Sequence, residues 1–229
     1  MGLKRQPPEG NTRRVRSTGR NLCGVITNKA GRTVQFESFA ERSLLLRLDR
    51  DATVMDYLSQ PEQLTYTNAS GKRSTYTPDF QVWHTDGQVS LHEVTLEQRL
   101  TQPRIHQRHA AATTLCAERG WTYYIHTEKD LPQGSELANL LALWAYRPTR
   151  YHDVPVQNAI CTRLANREQA LYPLVMDIHQ QSGRDIPHVA CCLYHLLWHG
   201  VVQMDWDRLL FQDAVPNPET QLWLKRGGV

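Results

Sequence analysis

In the run FESFAERSLLLRLDRD (36–51), Leu44, Leu45 and Leu48 form an apolar stripe whose spacing predicts a helix. Ser38 stands at the N-cap position, with Glu41 three residues on, as a capping box requires. EQLTYTNASGKRSTYT (62–77) reads as two strands joined by a loop at Asn68–Lys72 that is rich in turn formers. TPDFQVWHTDGQVSLHEVT (77–95) reads as a second hairpin. QPRIHQRHAAATTLCAERG (102–120) predicts a helix, with Pro103 near its first turn and Gly120 just past its end. WTYYIHT (121–127) predicts a strand and GSELANLLALWAYR (134–147) another helix. The order helix, strands, helix, strand, helix predicts a mixed α/β layer over 33–147.

The pattern then changes. RPTRYHDVPVQN (147–158) has two prolines and no periodicity, and it reads as a linker centred on 148–157. From 158 to 229 come a helical stretch interrupted near Pro173, a second helix ending at Gly200, and short apolar segments separated by turns. Helix, helix, short strands is the order of a winged-helix module.

The hairpin at 77–95 has a register that carries chemistry. With Thr85-Asp86-Gly87 as a three-residue loop, Gly87 takes the left-handed position such loops need, and His84 faces Gln88. Asp79 then falls opposite Glu93, and Thr95 shares the face of Glu93. A two-residue loop would put the two acids on opposite faces. Facing carboxylates repel by up to about 1 kcal/mol, and a cation between them relieves the repulsion. Mg²⁺ suits this place, since it binds through one or two carboxylates plus waters and phosphate; Mn²⁺ is expected to substitute. Glu41 is a third acid, on the stripe of the 36–51 helix, where it needs a partner. Glu37, one turn earlier, is the alternative helix ligand. The bland alternative has Asp79 capping a strand while Glu93 and Glu41 pair with arginines.

Charge adds a second theme. The chain has 229 residues and a net charge of only +3, but residues 1–32 hold Lys4, Arg5, Arg13, Arg14, Arg16, Arg20, Lys29 and Arg32 against the single acid Glu9. A basic arm poor in apolar residues is expected to be flexible and to contact nucleic-acid phosphates. Arg104 and Arg108 on the 102–120 helix are further candidate DNA contacts. Five cysteines without a CxxC pair argue against a disulfide framework or a zinc knuckle. The chain shows no membrane-spanning run and no secretory signal, which predicts a cytoplasmic protein.

These residues together resemble a known family. TPDF…EV with an upstream ES..E is similar to the PD-(D/E)xK nucleases, and the run from Val34 to Val82 resembles TnsA, the endonuclease subunit of heteromeric transposases. The shared features are FES..E, a QP dipeptide, YTPDF, an E-V segment and, later, the TEK of HTEKDL (126–131). The resemblance spans roughly 20–147. It implies a restriction-endonuclease-like mixed sheet flanked by helices, followed by a C-terminal winged-helix domain that docks on partners. It also implies cutting at the 5′ side of transposon ends, an integrase-type transposase subunit (TnsB-like) and an AAA+ ATPase regulator (TnsC-like). Glu41 and Asp79 match the metal-binding acids and Glu93 the acidic position that follows. Thr95 stands where the family has a lysine that orients water and offsets phosphate charge. Arg99 and Arg104 are candidate substitutes for that charge. The alternative is a subunit that keeps the fold as a scaffold and no longer cuts.

Other candidates carry less. Cys191, His195 and His199 recur at helical spacing, but the outer two are about 12 Å apart along a helix, too far to share one ion. His106 and His109 read as polar-face residues, and Trp198, Trp206 and Trp223 as core or interface anchors.

Overall fold

The structure, a computed structural model, describes residues 23–225. The chain divides into two compact units, 1–131 and 132–229.

The first unit opens with a hairpin of β1 (Gly24–Thr27) and β2 (Thr33–Phe36). The predicted leucine helix follows as α1 (Phe39–Arg50), where Ser38 is the N-cap and accepts from the Glu41 N–H. Leu44, Leu45 and Leu48 are buried along it. β3 (Val54–Ser59), β4 (Leu64–Thr67), β5 (Arg73–Tyr76), β6 (Phe80–His84) and β7 (Val89–Val94) come next. They precede the short α2 (Glu97–Leu100), α3 (Pro103–Glu118) and β8 (Thr122–His126). Four strands make a sheet in the order β3-β6-β7-β8. β3/β6 and β6/β7 are antiparallel and β7/β8 is parallel, so the sheet is mixed. The pair β4-β5 is a separate hairpin.

β7 is covered on both faces. On one face Leu91 packs with Leu64 and Tyr76 of the β4–β5 hairpin and with Ala112 and Cys116 of α3. On the other, a cavity of about 520 Å³ is lined by Leu44 and Leu48 of α1 and by His92 and His126. There His92 Nε2 meets Ser90 Oγ at 2.8 Å and its Nδ1 meets His126 Nε2 at 2.8 Å. Burial first, then the neighbouring imidazoles, holds His92 neutral, with its pKa lowered to about 3.

The second unit contains α4 (Gly134–Leu143), α5 (Val154–Asn166), β9 (Gln169–Ala170), α6 (Leu171–Ser182) and α7 (Ile186–Trp198). The strands β10 (Val202–Met204), β11 (Phe211–Gln212), β12 (Val215–Pro216) and β13 (Gln221–Leu224) follow. A three-stranded sheet runs β10-β13-β9, and β11-β12 form a small hairpin. Asp153 and Asp185 cap α5 and α7 through their side chains, and Gly183 ends α6 in the left-handed conformation. Trp198 is fully buried. His195 and His199 meet the main-chain carbonyls of Tyr146 and Arg147, which accounts for their spacing without a metal.

Two boundaries differ from the sequence reading. The division falls at 131/132, so α4 belongs with the second unit rather than with residues 33–131. The stretch 148–157 is not an extended linker, since it holds a 3-10 turn at Thr149–Tyr151 and the start of α5. Its prolines misled the reading: Pro155 occupies the first turn of a helix, where no N–H is needed. Likewise the C-terminal end of the basic arm is strand and turn, with β1 and β2 framing Lys29 and Arg32.

Candidate active site

The hairpin between β6 and β7 has the three-residue loop, with Gly87 at φ +85° and the His84 N–H donating to Gln88 O at 2.9 Å. The ladder pairs Phe80 with His92 and Gln81 with Leu91, so its continuation places Asp79 opposite Glu93. Asp79 is held from both flanks. Its carbonyl accepts from the Gln60 N–H at 2.7 Å, and its Oδ2 accepts from the Val94 N–H at 2.7 Å.

Glu93 is 5% exposed. Its Oε2 accepts from Tyr76 Oη–H at 2.5 Å and its Oε1 accepts from Arg108 Nη2. Asp79 retains some exposed surface, but its carboxyl lies among buried groups. Lost hydration, and then the Glu93 charge, drive its pKa well above the carboxylate range. Burial also raises Glu93, against the opposing pull of Arg108.

Glu41 sits at the start of α1. Its Oε2 accepts from the Glu37 N–H at 2.7 Å and its Oε1 from Ser38 Oγ–H at 3.0 Å. Burial and then the charge of Asp79 raise its pKa to about 7. The three acids therefore feel one another, although Glu41 reaches the pair through its field rather than by a shared bond. Glu37 is engaged elsewhere, its Oε1 accepting from Gln60 Nε2 at 3.0 Å. Beside Glu41 lies a cleft of about 430 Å³, lined in part by Ser38, Val94, Thr95, Arg99 and Glu128. Thr95 is tied to β8, its N–H donating to His126 O at 2.9 Å.

The basic candidates fall in different places. Arg13, Arg14, Arg16 and Arg20 lie outside the described residues. Lys29 Nζ donates to Asp51 O, and Arg32 makes a fork to Asp56 Oδ2 at 2.9 and 3.2 Å, so both serve the fold. Arg104 is exposed beside the β4–β5 loop, in a depression with Asn68, Ser70 and Gln107. Arg108 is turned inward onto Glu93, because α3 packs on the face of the sheet that carries that acid. His109 is also buried, not on a polar face, and its Nδ1 meets Tyr123 Oη at 2.8 Å.

The sequence reading missed Tyr76, Tyr123, His109 and Gln60 as neighbours of the acids. Tyr76 and Gln60 stood in plain view, in YTPDF and QP. Gln60 is also a non-glycine residue at φ +49°, the strained kind of backbone that collects at functional sites.

No group of three or more His, Cys, Asp or Glu side chains among the described residues could by itself hold a metal ion. The residues present fit a hard divalent cation in a more limited way. Asp79 and Glu93 offer two facing carboxyls with proton affinity raised by burial and mutual repulsion, which matches a cation that takes one or two carboxylates and completes its shell with water and phosphate.

A mixed sheet that sets two acids face to face at the ends of adjacent strands, with a third on the flanking helix, is consistent with the PD-(D/E)xK nuclease class. Residues 51–128, from the end of α1 to just beyond β8, match the family model described as the TnsA-like endonuclease N terminal. This segment is similar to the TnsA-like endonuclease N-terminal domain, and the match includes Asp79, Glu93 and Thr95 while leaving Glu41 outside. No curated protein matches the chain. No helix among the described residues is long and apolar enough to cross a membrane.

Proposed function

We propose that this protein is the TnsA-like endonuclease subunit of a heteromeric transposase and cuts DNA at the 5′ side of transposon ends. The observation that carries the reading is the register of β6 and β7, which sets Asp79 against Glu93 inside the segment that matches the endonuclease family. Mg²⁺, with Mn²⁺ able to replace it, would be held by Asp79 and Glu93 with Glu41 alongside, and would activate water and stabilise charge on the scissile phosphate. The chain's own groups prepare this place. The Val94 and Gln60 N–H groups hold Asp79, Tyr76 and Arg108 hold Glu93, and Ser38 holds Glu41. The cleft beside Glu41 and Thr95 gives a phosphate room to approach.

The second unit supports a partner-docking role. Its helices followed by a small sheet and a β11–β12 hairpin follow the order of a winged-helix domain. The partners in this reading are DNA, an integrase-type transposase subunit and an AAA+ ATPase, in the cytoplasm.

The test is nicking of end-containing DNA by the full chain with its cognate transposase, in Mg²⁺ or Mn²⁺. Loss of 5′ nicking in Asp79→Ala, with the 3′ cut retained, is expected; unchanged 5′ nicking removes the site assignment. A second reading, a scaffold that no longer cuts, draws on one observation: a threonine stands at 95, where a lysine would assist. It predicts partner binding without nicking under either metal.

A further inference from the structure

The acid pair needs a compensating cation, and Thr95 cannot supply it. Arg99 lines the cleft with Thr95 and Glu41 but is exposed. Arg104 occupies the separate depression beside the β4–β5 loop. One turn further along α3, Arg108 touches Glu93 of the pair. Its Nη2 donates to Glu93 Oε1, and its guanidinium carbon lies 4.5 Å from the centre of the Tyr76 ring. The side chains are 23% exposed for Arg108 and 6% for Glu93, so the contact is shielded from water. Arg108 Nε is buried without a hydrogen-bond partner among the described residues.

The other oxygen of Glu93 is served by a chain whose direction can be worked out. Tyr76 has one hydroxyl hydrogen and gives it to Glu93. In the 2.9 Å contact between Tyr76 and Tyr123, the donor must then be Tyr123. Its oxygen in turn accepts from His109 Nδ1–H at 2.8 Å. This assigns the His109 tautomer and leaves Nε2 as the bare nitrogen, which is buried and without a partner among the described residues. Three donors in a row point at one carboxylate, and a guanidinium closes its other side.

We propose that Arg108 is the positioning cation of this active site, standing in for the lysine absent at 95 and holding Glu93 beside Asp79, with the Tyr76–Tyr123–His109 chain fixing the second oxygen. This rests on the active-site reading above. Arg108 pairs with one oxygen of a carboxylate that has further lone pairs, so Glu93 remains able to meet a second cation. The cost is competition: a fixed positive charge weakens the hold on a divalent ion while it offsets phosphate charge.

The experiment compares full-length wild type, Arg108→Met, Arg108→Lys, Thr95→Lys and the double variant Arg108→Met/Thr95→Lys, with melting curves to confirm folding. Mn²⁺ affinity by calorimetry, at about pH 8.5 so that protons do not compete, should tighten about tenfold in Arg108→Met and return toward wild type in the double variant. Cleavage should fall about 100-fold in Arg108→Met, fall less in Arg108→Lys, and recover at least in part in the double variant. A residue that merely props the fold would not tighten the metal, and a lysine at 95 would not restore it. Unchanged or weaker Mn²⁺ binding in folded Arg108→Met, or no recovery in the double variant, overturns the proposal. Absence of cleavage in every variant would instead count against the nuclease reading, and the Mn²⁺ series would still decide the role of Arg108.

Discussion

Glu41→Gln should make the first unit more stable at neutral and alkaline pH, in proportion to the charge it removes. The carboxyl of Glu41 is moved from its ordinary 4.5 to about 7 by burial and by Asp79. A raised acid stabilises the fold relative to its ionised form only while protonated. Its contribution is complete below 4.5 and is lost as pH climbs through 7. The full span corresponds to about 3 kcal/mol, accumulating at up to about 1.4 kcal/mol per pH unit. Glutamine carries no such term, but its amide nitrogen cannot accept from Glu37 N–H or Ser38 Oγ–H, a pH-independent cost of about 1 kcal/mol. The variant should therefore be slightly weaker than wild type near pH 4 and about 2 kcal/mol stronger near pH 8. Urea-dependent hydrogen exchange of β6 and β7 amides, without divalent ions and across that range, isolates the first unit from the second. A stability difference that does not change between pH 4 and pH 8, or a variant that weakens relative to wild type as pH rises, would refute the reasoning. The latter would mean that a cation, not a neighbouring acid, dominates Glu41.

Three further outcomes follow from individual contacts. Asp79→Asn can still accept from Val94 N–H while removing the repulsion with Glu93; thermal melting at pH 8 should show a gain of about 1 kcal/mol, with 5′ nicking abolished. Arg32→Ala should leave DNA affinity within about twofold in a filter-binding assay and cost no more than about 1 kcal/mol, because Arg32 already forks onto Asp56; a tenfold loss of affinity would show that the arm reading of Arg32 was the better one. In the two-residue turn between β11 and β12, Ala214 is held at φ +64°, a conformation that costs an L-residue about 1 kcal/mol. Ala214→Gly should raise the melting point of the second unit, and a lower one would show that Cβ packing matters more than strain.

Local chemistry was legible along the chain wherever a decision depends on near neighbours. The Ser38–Glu41 cap, the leucine face of α1, the Gly87 turn and the resulting opposition of Asp79 and Glu93 all depend on periods of two or 3.6 residues and on one left-handed glycine, and the structure has each of them. Charge read along the chain does not reveal its partners. Lys29, Arg32 and Arg108 look alike as surface cations in a linear chain, yet each meets an oxygen from a distant residue: Lys29 from Asp51, 22 places on, Arg32 from Asp56, 24 places on, and Arg108 from Glu93, 15 places back. His109 looked polar and is core. Only the packing of α3 and the β4–β5 hairpin on one face of β7 decides that Tyr76, Tyr123, His109 and Arg108 converge on Glu93. Sequence determines which side chains share a strand face or a helix stripe, because that geometry is local. Which faces meet is decided by burial of apolar area over long loops, and the partners of a buried charge are settled by the same event.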